Sequence, residues 1–211
     1  MFSGIVEEKA LVSDVIRSAS GVKLYIKTKK VSQDAKIGDS VSVDGACLSI
    51  ASLKNDVLQF DIMEETLRAT TFSDIKKGEA VNIERSLKIG DRISGHFVTG
   101  HIDCVGVISS IKKEPNDYKI EIKIPYDKAG HLTLKGSVSV DGVSLTVMES
   151  GKDHFKISLV PLTLEKTSLG SKRRGDKVNI EFDILAKYAL AASRQDAGKI
   201  DSEFLKKHGF V

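Results

Sequence analysis

The stretch Val138–Val147 reads VSVDGVSLTV, and a near copy, VSVDGACLSI, stands at Val41–Ile50, 97 residues earlier (138 − 41). The same offset relates VNIE at Val178–Glu181 to VNIE at Val81–Glu84. It also relates Thr163-Leu164 in PLTLEKTSL to Thr66-Leu67 in EETLRATTF. Three matches in one order at one spacing mean that the chain holds two copies of one fold. The period is too long for stacked solenoid repeats, so this is a duplicated domain.

Each copy has the same local reading. Val138 and Val140 alternate with Ser139 and Asp141, the period of a half-buried strand. Asp141-Gly142 is a hairpin signal, because a tight primed turn needs positive φ and glycine adopts it freely. Beyond the turn Val143, Leu145 and Val147 share one face, and Ser144 and Thr146 share the other. In the first copy Asp44-Gly45 turns, Ala46, Leu48 and Ile50 point one way, and Cys47 and Ser49 point the other. A small polar pair therefore sits opposite the core in both copies. For one copy alone its ordinary meaning is solvent-facing strand surface.

A chain of 211 residues suits one or two domains, and the duplication decides for two, of roughly 90 residues each. The net charge of +3 is spread along the sequence, which does not imply nucleic acid. Cys47 and Cys104 form no CxxC pair, as expected of a reducing, cytoplasmic setting without a zinc motif. The amino terminus lacks the basic and apolar regions of a signal peptide, and no apolar run approaches membrane-spanning length. Neither GxGxxG nor GxxxxGK[ST] occurs, which argues against a nucleotide held in a Rossmann or P-loop manner.

In chain order, Phe2–Val6 reads as an opening strand, and Val12–Ile16 and Val22–Ile26 alternate around a turn. Val57–Met63 reads as a strand and Glu64–Ala69 as a short helical turn. Many short strands between Gly and Asp turns predict an all-β barrel. The linker spans Arg85–Gly95. The second copy opens near His96, where FVTGHID at Phe97–Asp103 lies over MFSGIVE at Met1–Glu7 with an offset of 96 (101 − 5). After Asp183 the pattern changes: Leu185, Tyr188, Ala189 and Ala192 fall at helical spacing and predict an amphipathic helix. Gly198 breaks it, and Ile200–His208 suggests another turn or two, with Ser202 as a candidate N-cap. The apolar stripe packs either on its own barrel or on another copy.

His96, His101, Asp103 and Cys104 lie close together, but on a strand the two histidines have opposite parity, whereas zinc needs ligands converging from one side. An acid–base role suits His101, which stands where the first copy has Ile5. Cys47 exchanges with Ser144 between the copies, which suggests hydrogen bonding to a ligand instead of covalent catalysis. Asp183, following the last VNIE, could orient a hydroxyl or a base, or simply end a strand.

MFSGIVE, VDGACLSI, EETLRATTF, GHFVTGHID, VDGVSLTV, PLTLEKTSLG and VNIEFD, in this order, resemble the riboflavin synthase family, two-barrel enzymes with lumazine-binding repeats. The resemblance covers essentially the whole chain. It implies two tandem six-stranded Greek-key barrels at 1–90 and 91–184, and a trimerising C-terminal helix at 185–211. It implies a homotrimer whose active site, between the N-terminal barrel of one subunit and the C-terminal barrel of the next, takes two molecules of 6,7-dimethyl-8-ribityllumazine. One donates a four-carbon unit to the other without cofactor or metal. Association with lumazine synthase is left open.

Carried over by motif position, the resemblance implies a first-barrel pocket of Gly4, Ile5, Val6, Cys47, Leu48, Ser49, Asp61, Ile62, Met63, Glu64, Glu65 and Thr66. It implies a second-barrel pocket of Gly100, His101, Ile102, Lys135, Ser144, Leu145, Thr146, Val160, Pro161, Leu162, Thr163, Leu164 and Glu165. Ser40, Cys47, His101, Thr146 and Asp183 are the expected catalytic group. Ser3 and Ser49 replace the family's usual threonines, and Leu162 replaces a usually hydrophilic residue. The nearest alternative is a non-catalytic, fluorescent lumazine- or flavin-binding relative. That class alters the GHFVTGH and SLTV strings, which are intact here. A pair of OB-like barrels for single-stranded nucleic acid would need aromatics interleaved with basic residues, and they are not.

Overall fold

The computed structural model describes residues 1–18, 21–114, 117–196, 205–206 and 209. Among these, twelve strands close into two antiparallel six-stranded barrels. The first comprises β1 (Glu8–Ser18), β2 (Gly21–Lys27), β3 (Ser40–Val43), β4 (Ala46–Lys54), β5 (Val57–Ile62) and β6 (Ala80–Arg85), in the order β1-β2-β5-β4-β3-β6. The second comprises β7 (Cys104–Glu114), β8 (Asp117–Lys123), β9 (Ser137–Val140), β10 (Val143–Ser150), β11 (His154–Leu159) and β12 (Lys177–Phe182), in the equivalent order β7-β8-β11-β10-β9-β12. Helix α1 (Glu64–Ala69) follows β5, and α2 (Pro161–Lys166) follows β11 at the matching place.

Each barrel fills its own interior through period-2 alternation. Leu58, Phe60 and Ile62 of β5 are buried, as are Phe155, Ile157 and Leu159 of β11. Burying each such side chain stabilises by roughly 1.5–3 kcal/mol. At offset 97 Leu58 corresponds to Phe155 and Phe60 to Ile157. The copies have exchanged the place of the phenylalanine while nearly conserving the volume of the pair, which cores tolerate best.

Both Asp-Gly turns form as read. Asp44 and Gly45 have φ of 41° and 85°, and Asp141 and Gly142 have 45° and 77°. The turns also meet: a Cβ on Gly45 would lie 2.8 Å from the Gly142 nitrogen. Glycine is thus required both for the turn and for the approach of the two barrels.

One expected strand is absent. In Phe2–Val6 only Phe2 pairs, in an isolated bridge with Val98. The next amides are engaged elsewhere: Ser3 and Gly4 donate to the Glu84 carboxylate at 2.7 and 3.0 Å, which leaves no ladder to continue. The expected helix is α3 (Ile184–Asp196), tied to the second barrel by Lys187 Nζ, 2.5 Å from Asp103. Its apolar stripe does not pack on that barrel, for Leu185 is 62% and Tyr188 70% exposed. Gly198 and Ser202 lie outside the described residues.

Candidate active site

The glutamate that ends each VNIE is a clamp. Glu84 accepts from Ser3 N at 2.7 Å, from Ser3 Oγ at 2.8 Å and from Gly4 N at 3.0 Å. Glu181 accepts from Thr99 N at 2.6 Å, from Thr99 Oγ1 at 2.7 Å and from Gly100 N at 2.9 Å. Burial pushes the Glu84 carboxyl above its ordinary range despite these donors. The clamps hold the two segments that precede β1 and β7.

Held this way, each segment lies against the other barrel. The Ser144 amide donates to the Gly4 carbonyl at 2.8 Å, and the Cys47 amide donates to the Gly100 carbonyl at 2.9 Å. Ile102 packs against the first core and Val6 against the second. Each site is therefore composite. One combines Gly100, His101 and Ile102 with Cys47, Leu48 and Ser49, next to Ser40, which pairs with Ser49 across the β3–β4 ladder. The other combines Gly4, Ile5 and Val6 with Ser144, Leu145 and Thr146. Grouping by barrel, which put Gly4–Val6 with Cys47 and Gly100–Ile102 with Ser144, is thus exchanged. The glycine carbonyls pair with the strand of the opposite copy, and an alignment of the copies does not contain that information.

The remaining expected residues follow their elements. Asp61 and Ile62 end β5, Met63 precedes α1, and Glu64, Glu65 and Thr66 lie in its first turn. Val160 precedes α2, which holds Pro161, Leu162, Thr163, Leu164 and Glu165, and Lys9 Nζ of β1 reaches the Glu165 carbonyl at 3.1 Å. Ile5, His101 and Thr146 are exposed, whereas Cys47, Ser144 and Asp183 are half-buried. Lys135 holds a positive φ of 64° where its counterpart is Gly38, a conformation costing a non-glycine residue on the order of 1 kcal/mol. Of the expected catalytic group, Ser40, Cys47 and His101 fall to one site and Thr146 and Asp183 to the other. A single chain does not gather them. Beside Ile5 opens a cleft of about 380 Å³, lined by Ser3, Glu84, Arg85, Leu87 and Arg92 among others.

Sequence reasoning weighed His96 only as a metal ligand. The structure puts its Nδ1 2.7 Å from Ser144 Oγ. The ring is buried, and its Nε2 has no hydrogen-bond partner among the described residues. Burial lowers the imidazole's pKa, while the negative charge of Asp183 opposes that shift. A neutral imidazole against a hydroxyl is the geometry of a general base and the group it activates. One sequence signal pointed to it: His96 stands in GHFVTGH, directly before the Phe97–Asp103 segment that lies over the opening of the first copy. Cys104 is no match for such a role, since burial pushes its thiol up to about 12.

The lumazine binding domain family matches this chain twice, at residues 3–86 and 99–183. The chain is similar to LumP complexed with riboflavin, with a TM-score of 0.80 and 28% identity over 86% of this chain and 99% of that one. LumP complexed with 6,7-dimethyl-8-(1'-D-ribityl) lumazine gives 0.79 and 26% over the same shares. Fold and site together define a duplicated lumazine-binding protein. Over 215 aligned residues, the full length of both chains, it is 36% identical to the riboflavin synthase of Bacillus subtilis (strain 168). It is 40% identical to that of Mycobacterium bovis over 89% of this chain and 96% of the other. The chain belongs to the riboflavin synthase family.

Proposed function

We propose that this protein joins two molecules of 6,7-dimethyl-8-ribityllumazine. One gives a four-carbon unit to the other, yielding riboflavin and 5-amino-6-ribitylamino-2,4(1H,3H)-pyrimidinedione. The observation that carries the reading is the pair of equivalent composite sites within one chain. A reaction between two identical molecules suits two similar sites, and holding both rings in register can supply several kcal/mol of the barrier as positioning. The chemistry needs asymmetry, because one molecule donates carbon and the other accepts it. The sites differ in that sense: His96 and Ser144 stand on one side, Cys47 and His101 on the other.

The His96–Ser144 pair, with Asp183 acting on its charge, assists proton removal from the 7-methyl group and the addition that precedes ring joining. Cys47, Ser40 and His101 orient the second lumazine, and Lys135 and the threonines Thr66, Thr146 and Thr163 hold ring edges. Because one chain separates these groups, the reacting pair assembles between subunits of a homotrimer. The exposed stripe of α3 supports self-association. The functional units are 1–90, 91–184 and 185–211. The enzyme works in the cytoplasm without metal or organic cofactor, and lumazine synthase is the partner that this reading admits.

A fluorescent carrier is the second reading, favoured by the likeness to LumP. Purified protein mixed with the lumazine alone, in the presence of a chelator, separates the two. Steady riboflavin formation followed by absorbance supports the enzyme. Tight binding without riboflavin supports the carrier, and no binding removes both.

A further inference from the structure

We propose that Lys172 is a positioning residue, whose ammonium, paired with the buried Asp141, fixes the turn at which the two barrels grip each other and so the strands that carry Ser144 and Cys47. This rests on the functional reading above.

The interface has a nearly exact internal symmetry. Asp44 Oδ1 accepts from the Asn82 amide and Asp141 Oδ1 from the Asn179 amide, both at 2.7 Å. The asparagine side chains then cross over: Asn82 Nδ2 donates to the Asp141 carbonyl at 2.8 Å, and Asn179 Nδ2 to the Asp44 carbonyl at 2.9 Å. Their Oδ1 atoms accept from Ser168 N at 2.6 Å and Thr71 N at 2.8 Å. Every bond has its counterpart 97 residues away.

Lys172 breaks the symmetry, for its counterpart is Ile75 (172 − 97). Its Nζ lies 3.0 Å from Asp141 Oδ2, and with Asp44 it lines a cleft of about 450 Å³ between the barrels. Asp44 is 5% and Asp141 0% exposed, and of these two desolvated carboxyls the ammonium pairs with Asp141. Burial pushes both carboxyls up, Asp44 furthest, because Asp141 adds its repulsion. The two aspartates hold the Lys172 ammonium above its ordinary range against the effect of burial. The first barrel closes with Ile75 in this place, so barrel closure does not need the lysine. What the lysine adds is a counter-charge for Asp141, whose carbonyl receives the crossing Asn82 Nδ2 bond from the first copy. Asp44 stands three residues before Cys47 and Asp141 three before Ser144, each across a two-residue turn. Movement at the turns is therefore carried to the Cys47–Gly100 and Ser144–Gly4 contacts.

The test compares the full-length protein with Lys172→Arg, which keeps the ion pair, and with Lys172→Met/Asp141→Asn, which removes both of its partners. Amide hydrogen exchange reads the latch directly and without reference to catalysis. In the double variant the Cys47 and Ser144 amides should exchange about tenfold faster, while the ladder amides of Ile83 and Ile180 stay as protected as before. Riboflavin formation should lose about tenfold in kcat with KM for the lumazine kept, and Lys172→Arg should restore both readouts. Wild-type protection at Cys47 and Ser144 in the double variant, or faster exchange spread evenly over both barrels, would overturn the latch. Lack of turnover by the wild-type protein would instead overturn the functional reading, and the exchange data would still decide the latch.

Discussion

Nδ1 of His96 and the hydroxyl of Ser144 lie 2.7 Å apart at a site where the Gly4 backbone from the first copy meets a strand of the second. This pairing has no equivalent at the other site, where Cys47 replaces Ser144. If the pair moves a proton, His96→Gln should lower kcat about 100-fold, at the modest end of general acid–base effects. Ser144→Ala should do the same, and the double variant should be little worse than either, as for groups acting as one unit. Single-turnover kinetics with the lumazine measure this, and additive losses would refute a shared step.

The same histidine sets a pH dependence. Burial places its folded-state pKa below the ordinary 6.5, so at a pH just under that value the unfolded chain binds the proton and the folded protein does not. The contribution of His96 to stability is fully present above 6.5 and is lost as the pH falls through the folded pKa. Turnover should keep its plateau from pH 7 through 6.5 and decline only as the pH falls through the lowered folded pKa, where the base becomes protonated. Urea denaturation of wild type and His96→Gln between pH 5 and 8 checks the sign: the wild type should lose more stability toward acid than the variant.

What could be read in advance was local. Val143, Leu145 and Val147 alternate with Ser144 and Thr146, and the strand and its turn follow from that pattern alone. The meaning of VNIE did not follow. Asn82 and Glu84 act on partners 59 and 80 to 81 positions away, which no local period encodes. Matching Gly4 to Gly100 identified equivalent residues but not that each lies against the other copy. Phe2–Val6 looked like a strand because apolar composition does not reveal that Glu84 takes its amides.

The crossing of the segments makes two glycines indispensable. Gly100 has a φ of +87°, and a Cβ there would stand 2.4 Å from the Cys47 Cβ. Gly4 has +76°, with Ser144 Cβ at 2.6 Å. Gly78 is the control, with +88° and nothing within 4 Å. Gly78→Ala should cost only the backbone penalty of about 1–2 kcal/mol. Gly100→Ala and Gly4→Ala should cost about 1–3 kcal/mol more, since backbone or a strand must shift. Chemical denaturation of the three variants orders them, and equal losses would mean that the segments move aside freely.

The exposed face of α3 yields the final expectation. Leu185 and Tyr188 are 62% and 70% exposed, although the first turn of the helix is held to the second barrel through Lys187 and Asp103. Such a stripe is stable in water when a second copy covers it. Light scattering should give a trimer for the wild type. Leu185→Glu/Tyr188→Glu should shift it toward the monomer, because a charge on each helix cannot be buried unpaired. Each barrel keeps its own core and clamps, so the variant should still bind lumazine. It should lose riboflavin formation, because Cys47 and His101 belong to one site of the chain and His96 and Ser144 to the other. A monomer with full turnover would place the reacting pair within one chain and remove the subunit-bridging arrangement.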